Sequence, residues 1–101
     1  MNENYSIQSV YDELKELNIL TNQTDFSRLC GRTPMWFSCI KARKQPISSD
    51  AVLTLAYKLR RIAKSSLSEV THDRLLVISD NLIETANNNI RRRIENSDAL
   101  L

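Results

Sequence analysis

A single glycine, Gly31, stands among 101 residues, and only two prolines, Pro34 and Pro46, join it as chain breakers. Left-handed backbone falls most readily on glycine, and sharp stops fall on proline. A chain so poor in both has room for few turns, so few and mostly helical elements are expected. Apolar residues recur at three- and four-residue intervals along most of the chain, and no strand-type alternation competes with them. The expected fold is therefore all-α. Gly31 itself lies between two short helical patterns in the stretch QTDFSRLCGRTPMWFSCI, from Gln23 to Ile40.

Five helices are expected. Helix 1 runs from Ser6 to about Asn18, with Ile7, Val10, Tyr11, Leu14 and Leu17 on one face. Helix 2 begins near Thr21 to Gln23 and ends at Cys30, turning Phe26, Leu29 and Cys30 inward. Helix 3 is capped by Thr33, takes Pro34 in its first turn and runs to about Arg43, before Gln45-Pro46 breaks it. Helix 4 is capped by Ser48 or Ser49 and carries Val52, Leu53, Leu55, Ala56, Leu59 and Ile62 to about Lys64. Helix 5 starts near Thr71 after a short polar connection. Its stripe of Leu75, Ile78, Leu82, Ile83, Ala86, Ile90 and Ile94 is longer than so small a core readily covers. The weak helix formers Asn87, Asn88 and Asn89 predict a kink or frayed end there.

A chain of this length makes one domain with one modest core. Residues 1–67 would form its main body, and residues 68–101 its C-terminal helix. No apolar run approaches the ~20 residues that span a bilayer, and the start MNENYSIQ lacks the pattern of a secretion signal. A cytoplasmic protein with no membrane partner is expected. Cys30 and Cys39, with His72 as the one histidine, do not have metal-ligand spacing, so no metal or other cofactor is expected. Cys30 reads as a small core residue.

The net charge of +2 conceals a segregation. Residues 1–25 carry net −4, residues 26–64 net +8 and residues 65–101 net −2. A basic centre between acidic flanks is the asymmetry expected of nucleic-acid binding.

The basic centre coincides with a helix-turn-helix spacing. Counting from Gln23, the small residue wanted at the fifth position is Ser27, and the glycine wanted at the ninth is Gly31. The inward apolar positions, fourth, eighth, fifteenth and eighteenth, hold Phe26, Cys30, Phe37 and Ile40. Over residues 6–64 the chain resembles the phage lambda repressor and Cro-like helix-turn-helix family. That resemblance implies a bacterial or phage-type regulator whose second motif helix, Thr33 to Ala42, enters the major groove, with Gln23 touching the DNA backbone. Two positions depart from the family pattern. Arg32 stands where an aliphatic residue is usual and is expected to point outward or along a phosphate track; Ser27 stands where alanine is commoner.

If Phe37 and Ile40 face inward, Met35, Ser38, Cys39 and Ala42 face out, flanked by Trp36, Lys41 and Arg43. This face lacks the Arg, Asn or Gln that pairs bidentately with a base. Met35 and Ala42 can touch thymine methyls, and Ser38 can make one hydrogen bond. Lys41, Arg43 and Lys44 would supply phosphate affinity, which is positional and salt-sensitive. The candidate DNA-binding residues are thus Gln23, Arg32, Thr33, Met35, Trp36, Ser38, Cys39, Lys41, Arg43 and Lys44. Arg91, Arg92 and Arg93, next to Glu95 and Asp98, read as a solvated helix end.

No catalytic constellation or phosphate-binding glycine loop is present in the sequence, so no enzyme is expected. The reading is a DNA-binding transcriptional regulator, most simply a repressor, acting as a homodimer on double-stranded DNA. Leu75, Ile78, Leu82, Ile83, Ala86 and Ile90 are its expected dimerisation residues. The rival is a protein-interaction adaptor that uses Met35, Trp36 and Cys39 as an apolar contact patch.

Overall fold

The computed structural model describes residues 7–96. Five helices follow one another: α1 (Ile7–Glu16), α2 (Gln23–Leu29), α3 (Trp36–Ala42), α4 (Ser49–Lys64) and α5 (Glu69–Asn96). No strand occurs among the described residues. The all-α architecture with a long last helix is the one the sequence predicts; the expected start of helix 1 at Ser6 and residues 97–101 of the last segment lie outside the described residues.

The first three helices end by the same device. Asn18, Gly31 and Lys44 each take a left-handed conformation, with φ of 61°, 76° and 54°. In each case that residue's N–H donates to the carbonyl three residues back, and the following N–H reaches the carbonyl five residues back. The pairs are Asn18 to Lys15 and Ile19 to Leu14, Gly31 to Arg28 and Arg32 to Ser27, Lys44 to Lys41 and Gln45 to Ile40, all between 2.9 and 3.1 Å. This is the Schellman arrangement, which satisfies carbonyls that a helix end leaves orphaned. Helix 1 consequently stops at Glu16, slightly before the expected end.

Helix starts are fixed by side chains. Asn22 caps α2, its Oδ1 accepting from the Asp25 N–H at 2.9 Å. The Asp25 carboxylate reaches back to accept from the Thr21 N–H at 3.0 Å and the Thr21 hydroxyl at 2.9 Å. These Thr21 donors hold the Asp25 carboxyl below the ordinary carboxylate value. Ser48 caps α4 through the Ala51 N–H.

Two expected starts are corrected. The last helix begins at Glu69 because Ser68 accepts from the Thr71 N–H and its carbonyl from the His72 N–H. Its three asparagines, Asn87 to Asn89, stay within the helix without a break. Helix 3 begins at Trp36 rather than at Thr33, which forms a preceding turn through its carbonyl and the Trp36 N–H. No side chain of its own caps α3. The buried hydroxyl of Ser27 does this from α2, accepting from the Phe37 N–H at 2.9 Å.

The core joins an aromatic cluster to an aliphatic seam. Tyr11, Phe26 and Phe37 meet with ring centroids 4.5 to 5.5 Å apart, tying α1, α2 and α3 together. The seam runs between α4 and α5, where α5 folds back along α4. Leu55, Ala56 and Leu59 face Leu75, Ile78 and Leu82, all fully buried or nearly so. One polar pair lies within it: the Ser79 hydroxyl donates to the Ala56 carbonyl and accepts from Arg60 Nε. Arg60 Nη2 continues to Asp80 at 2.7 Å. Arg74 pairs with Glu13 and so fastens α5 to α1.

This seam corrects the expected dimer face. Leu75, Ile78, Leu82 and Ala86 are consumed within one chain, because α4 already covers them. Ile83 and Ile90 remain only partly covered. Beyond Ala86 no residue of α5 is buried, and Ile94 is 59% exposed. No helix among the described residues is long and apolar enough to cross a membrane.

Candidate nucleic-acid interface

The relation of α3 to α2 follows from three adjoining contacts. Gly31 turns the chain with a backbone conformation that a side chain would strain, and a Cβ there would lie 3.1 Å from Thr54 Cγ2. Ser27, wholly buried, accepts the Phe37 N–H. Phe37 then packs its ring on Phe26 at 4.5 Å. The inward face of α3 is thereby fixed, and its other face is left to solvent.

On that outer face the candidate residues fall into two groups. Thr33, Met35, Cys39, Lys41, Arg43 and Lys44 are exposed, Met35 at 64%. Gln23, Arg32, Trp36 and Ser38 are half-buried and engaged with the protein. The Ser38 hydroxyl donates to Gln23 Oε1 at 3.0 Å, so the hydroxyl expected to meet a base edge instead braces the first residue of α2 against α3. Trp36 packs against the core margin, its ring 6.4 Å from Phe37.

Arg32 is a clear correction. Its guanidinium turns toward α4 rather than straight outward: Nη2 donates to Ser48 Oγ at 3.2 Å and to Asp50 Oδ2 at 3.0 Å. It also sits over the Trp36 ring at 5.9 Å, and its Nε is buried without a hydrogen-bond partner. The aliphatic stem and the ring contact explain how an arginine occupies a slot suited to an apolar residue. It clamps the turn to the start of α4, and Asp50 offsets its charge.

The free cations gather at the other end of α3. Lys41 Nζ lies 5.3 Å from the Phe37 ring centre, Arg43 is the C-cap, and Lys44 occupies the left-handed turn. No carboxylate lies within α3. Arg28 adds an exposed charge at the end of α2, where Lys58 donates to its carbonyl at 2.8 Å. Lys58 and Arg28 were not among the expected site residues, because only the packing of α4 on α2 brings them together.

Chemically, this surface offers dispersed cationic donors around a small apolar face. His72 is tied by Nδ1 to the Ala63 carbonyl at 2.9 Å, at the end of α4. Cys30 is buried, and burial pushes its thiol from 9.0 up to about 12, against the weaker pull of Arg32 and Lys58. Cys39 is a free, exposed thiol. Among the described residues no group of three or more His, Cys, Asp or Glu side chains is placed to hold a metal ion.

No curated protein and no solved structure matches the chain. Residues 7–99 match the family of unknown function DUF6626, and over that span, nearly its whole length, the chain belongs to this family.

Proposed function

We propose that the chain is a DNA-binding transcriptional regulator, with α2 and α3 as a helix-turn-helix of the lambda repressor and Cro-like kind. The observation that carries this reading is the junction of Gly31, Ser27 and Phe37, which locks α3 to α2 and leaves its outer face and cationic end open. Lys41, Arg43 and Lys44 supply phosphate contacts. Thr33, Met35, Cys39 and Ala42 meet the groove, while Gln23 and Ser38 set the angle between the helices. With no bidentate reader on α3, base discrimination is modest, and affinity is mostly electrostatic. Repression follows from occupancy of the operator. A two-fold dimer places two such helices about 34–36 Å apart, one turn of duplex.

Fluorescence anisotropy with a labelled random duplex tests the reading. Three phosphate contacts from each protomer of the dimer predict a log–log salt slope of about −5. Alanine at Lys41, Arg43 and Lys44 together should lower affinity at least about tenfold while the circular dichroism spectrum stays unchanged. A flat salt response would instead favour an adaptor, the reading that the exposure of Met35 beside Cys39 supports. Selection from a random duplex library gives the finer answer: enrichment of a palindrome is expected for a dimeric, sequence-reading repressor.

A further inference from the structure

Where the first turn of α1 meets the end of α3, an open groove of about 370 Å³ is left between the helices. Its floor is apolar: Ile7, Phe37, Ile40 and Ile47 line it. Its rim holds two cations, Lys41 and Lys44, and among the described residues no carboxylate belongs to the lining. Asp12, one turn further along α1, accepts from Gln8 Nε2 at 3.0 Å and stands outside it.

We propose that this groove binds a small organic anion with an apolar body, such as a medium-chain or aryl carboxylate. Charge complementarity selects the head group, because the charged groups at the rim among the described residues, Lys41 and Lys44, are both positive. Size selects a small molecule over a protein: the volume falls at the lower end of the ~300–1,000 Å³ usual for ligand sites. A protein partner needs roughly 1,000 Å² of complementary surface, far more than this notch provides. Lys41 is already held over the Phe37 ring, so a carboxylate at the rim meets it while the apolar body lies on the floor. The left-handed turn at Lys44 sends Gln45, Pro46 and Ile47 back to close the far side.

The same two lysines are phosphate contacts in the reading above. A bound carboxylate therefore competes with DNA for them, which makes the groove an effector site. The existence of the site does not depend on that reading; its regulatory consequence does.

Methyl-labelled isoleucine spectra of the full chain, recorded without nucleic acid, test the site with octanoate, octanol and acetate as probes. Octanoate should saturably shift Ile7, Ile40 and Ile47. Octanol should act about tenfold more weakly, and acetate should leave the apolar floor unperturbed. The double variant Lys41→Gln, Lys44→Gly should reduce octanoate affinity about tenfold and leave octanol binding unchanged. Equal binding of octanol and octanoate would overturn the proposal, as would shifts centred on Ile94. So would line changes at the groove that follow protein concentration without ligand, which would assign it to a second copy. Saturating octanoate should then weaken duplex binding. An intact octanoate titration with unchanged duplex affinity would remove only the shared use of the lysines.

Discussion

Ser27 decides how α3 sits. Its hydroxyl accepts the Phe37 N–H, a donor that the start of a helix leaves without an internal partner, and both residues are buried. Ser27→Ala preserves the small volume but strands that donor, and should cost about 1–3 kcal/mol in urea unfolding. A loss within experimental error would mean that the N–H finds another partner. The sequence pattern marks Ser27 as small, yet nothing in it points to the hydroxyl, because its partner lies ten residues away in the next helix. Cys30 offers a second test. Its thiol is pushed from 9.0 to about 12, so between these values the folded chain keeps a proton that the unfolded chain releases. Stability from this group is fully present below pH 9.0 and declines as pH rises toward about 12, by up to about 1.4 kcal/mol per pH unit. The stability difference between wild type and Cys30→Ala should therefore shrink as urea unfolding is repeated at rising pH above 9.0. A difference that stays constant would show that the thiol ionises in the fold as it does in water.

The three left-handed helix ends differ in how well their sequences suit them. Gly31 costs nothing at φ 76°, whereas Gly31→Ala adds both that strain and a Cβ 3.1 Å from Thr54 Cγ2. A loss of about 1–2 kcal/mol in thermal or urea unfolding is expected. Lys44 holds φ 54° with a full side chain, so Lys44→Gly should stabilise the chain by up to about 1 kcal/mol. The same substitution removes a proposed phosphate contact, so stability and duplex affinity should move in opposite directions. Parallel movement would place Lys44 outside the interface. This contrast shows what the residues made legible. Gly31 and the pair Gln45-Pro46 announce turns through their own backbone limits, and Ser48 announces a cap. A lysine announces nothing about a left-handed turn. The sequence signals for the start of α3 mislead for the same reason: Thr33 and Pro34 are good local signals, but the satisfying hydroxyl comes from another element. Likewise Arg32 and Ser38 read as outward residues until α4 and Gln23 supply their partners.

The length of α5 raises the question of what its last turns are for. At about 1.5 Å per residue its 28 residues reach roughly 42 Å, against about 24 Å for the 16 of α4. The stripe on α5 was legible as apolar, but periodicity cannot say whether a face packs in cis or against a second copy. The fold divides it: the part up to Ala86 completes the core, with Ile83 packed at its margin, while Ile90 is only partly covered and Ile94 is exposed. Removing α5 would strip half of the α4 seam and unfold the chain, so truncation cannot test dimerisation. Point changes can. Ile90→Glu with Ile94→Glu should leave the helical circular dichroism spectrum nearly unchanged, since neither side chain is buried in the monomer. It should also convert a dimer to a monomer in sedimentation. Leu82→Glu places a charge at a site 1% exposed and should instead abolish folding. If the double variant keeps the mass of the wild type, α5 is not where copies meet, and the proposed two-half-site geometry loses its basis. If it becomes monomeric, each protomer retains its own cations but loses the second anchor. Affinity for a palindromic duplex should then fall steeply, while affinity for a single half-site stays as it was.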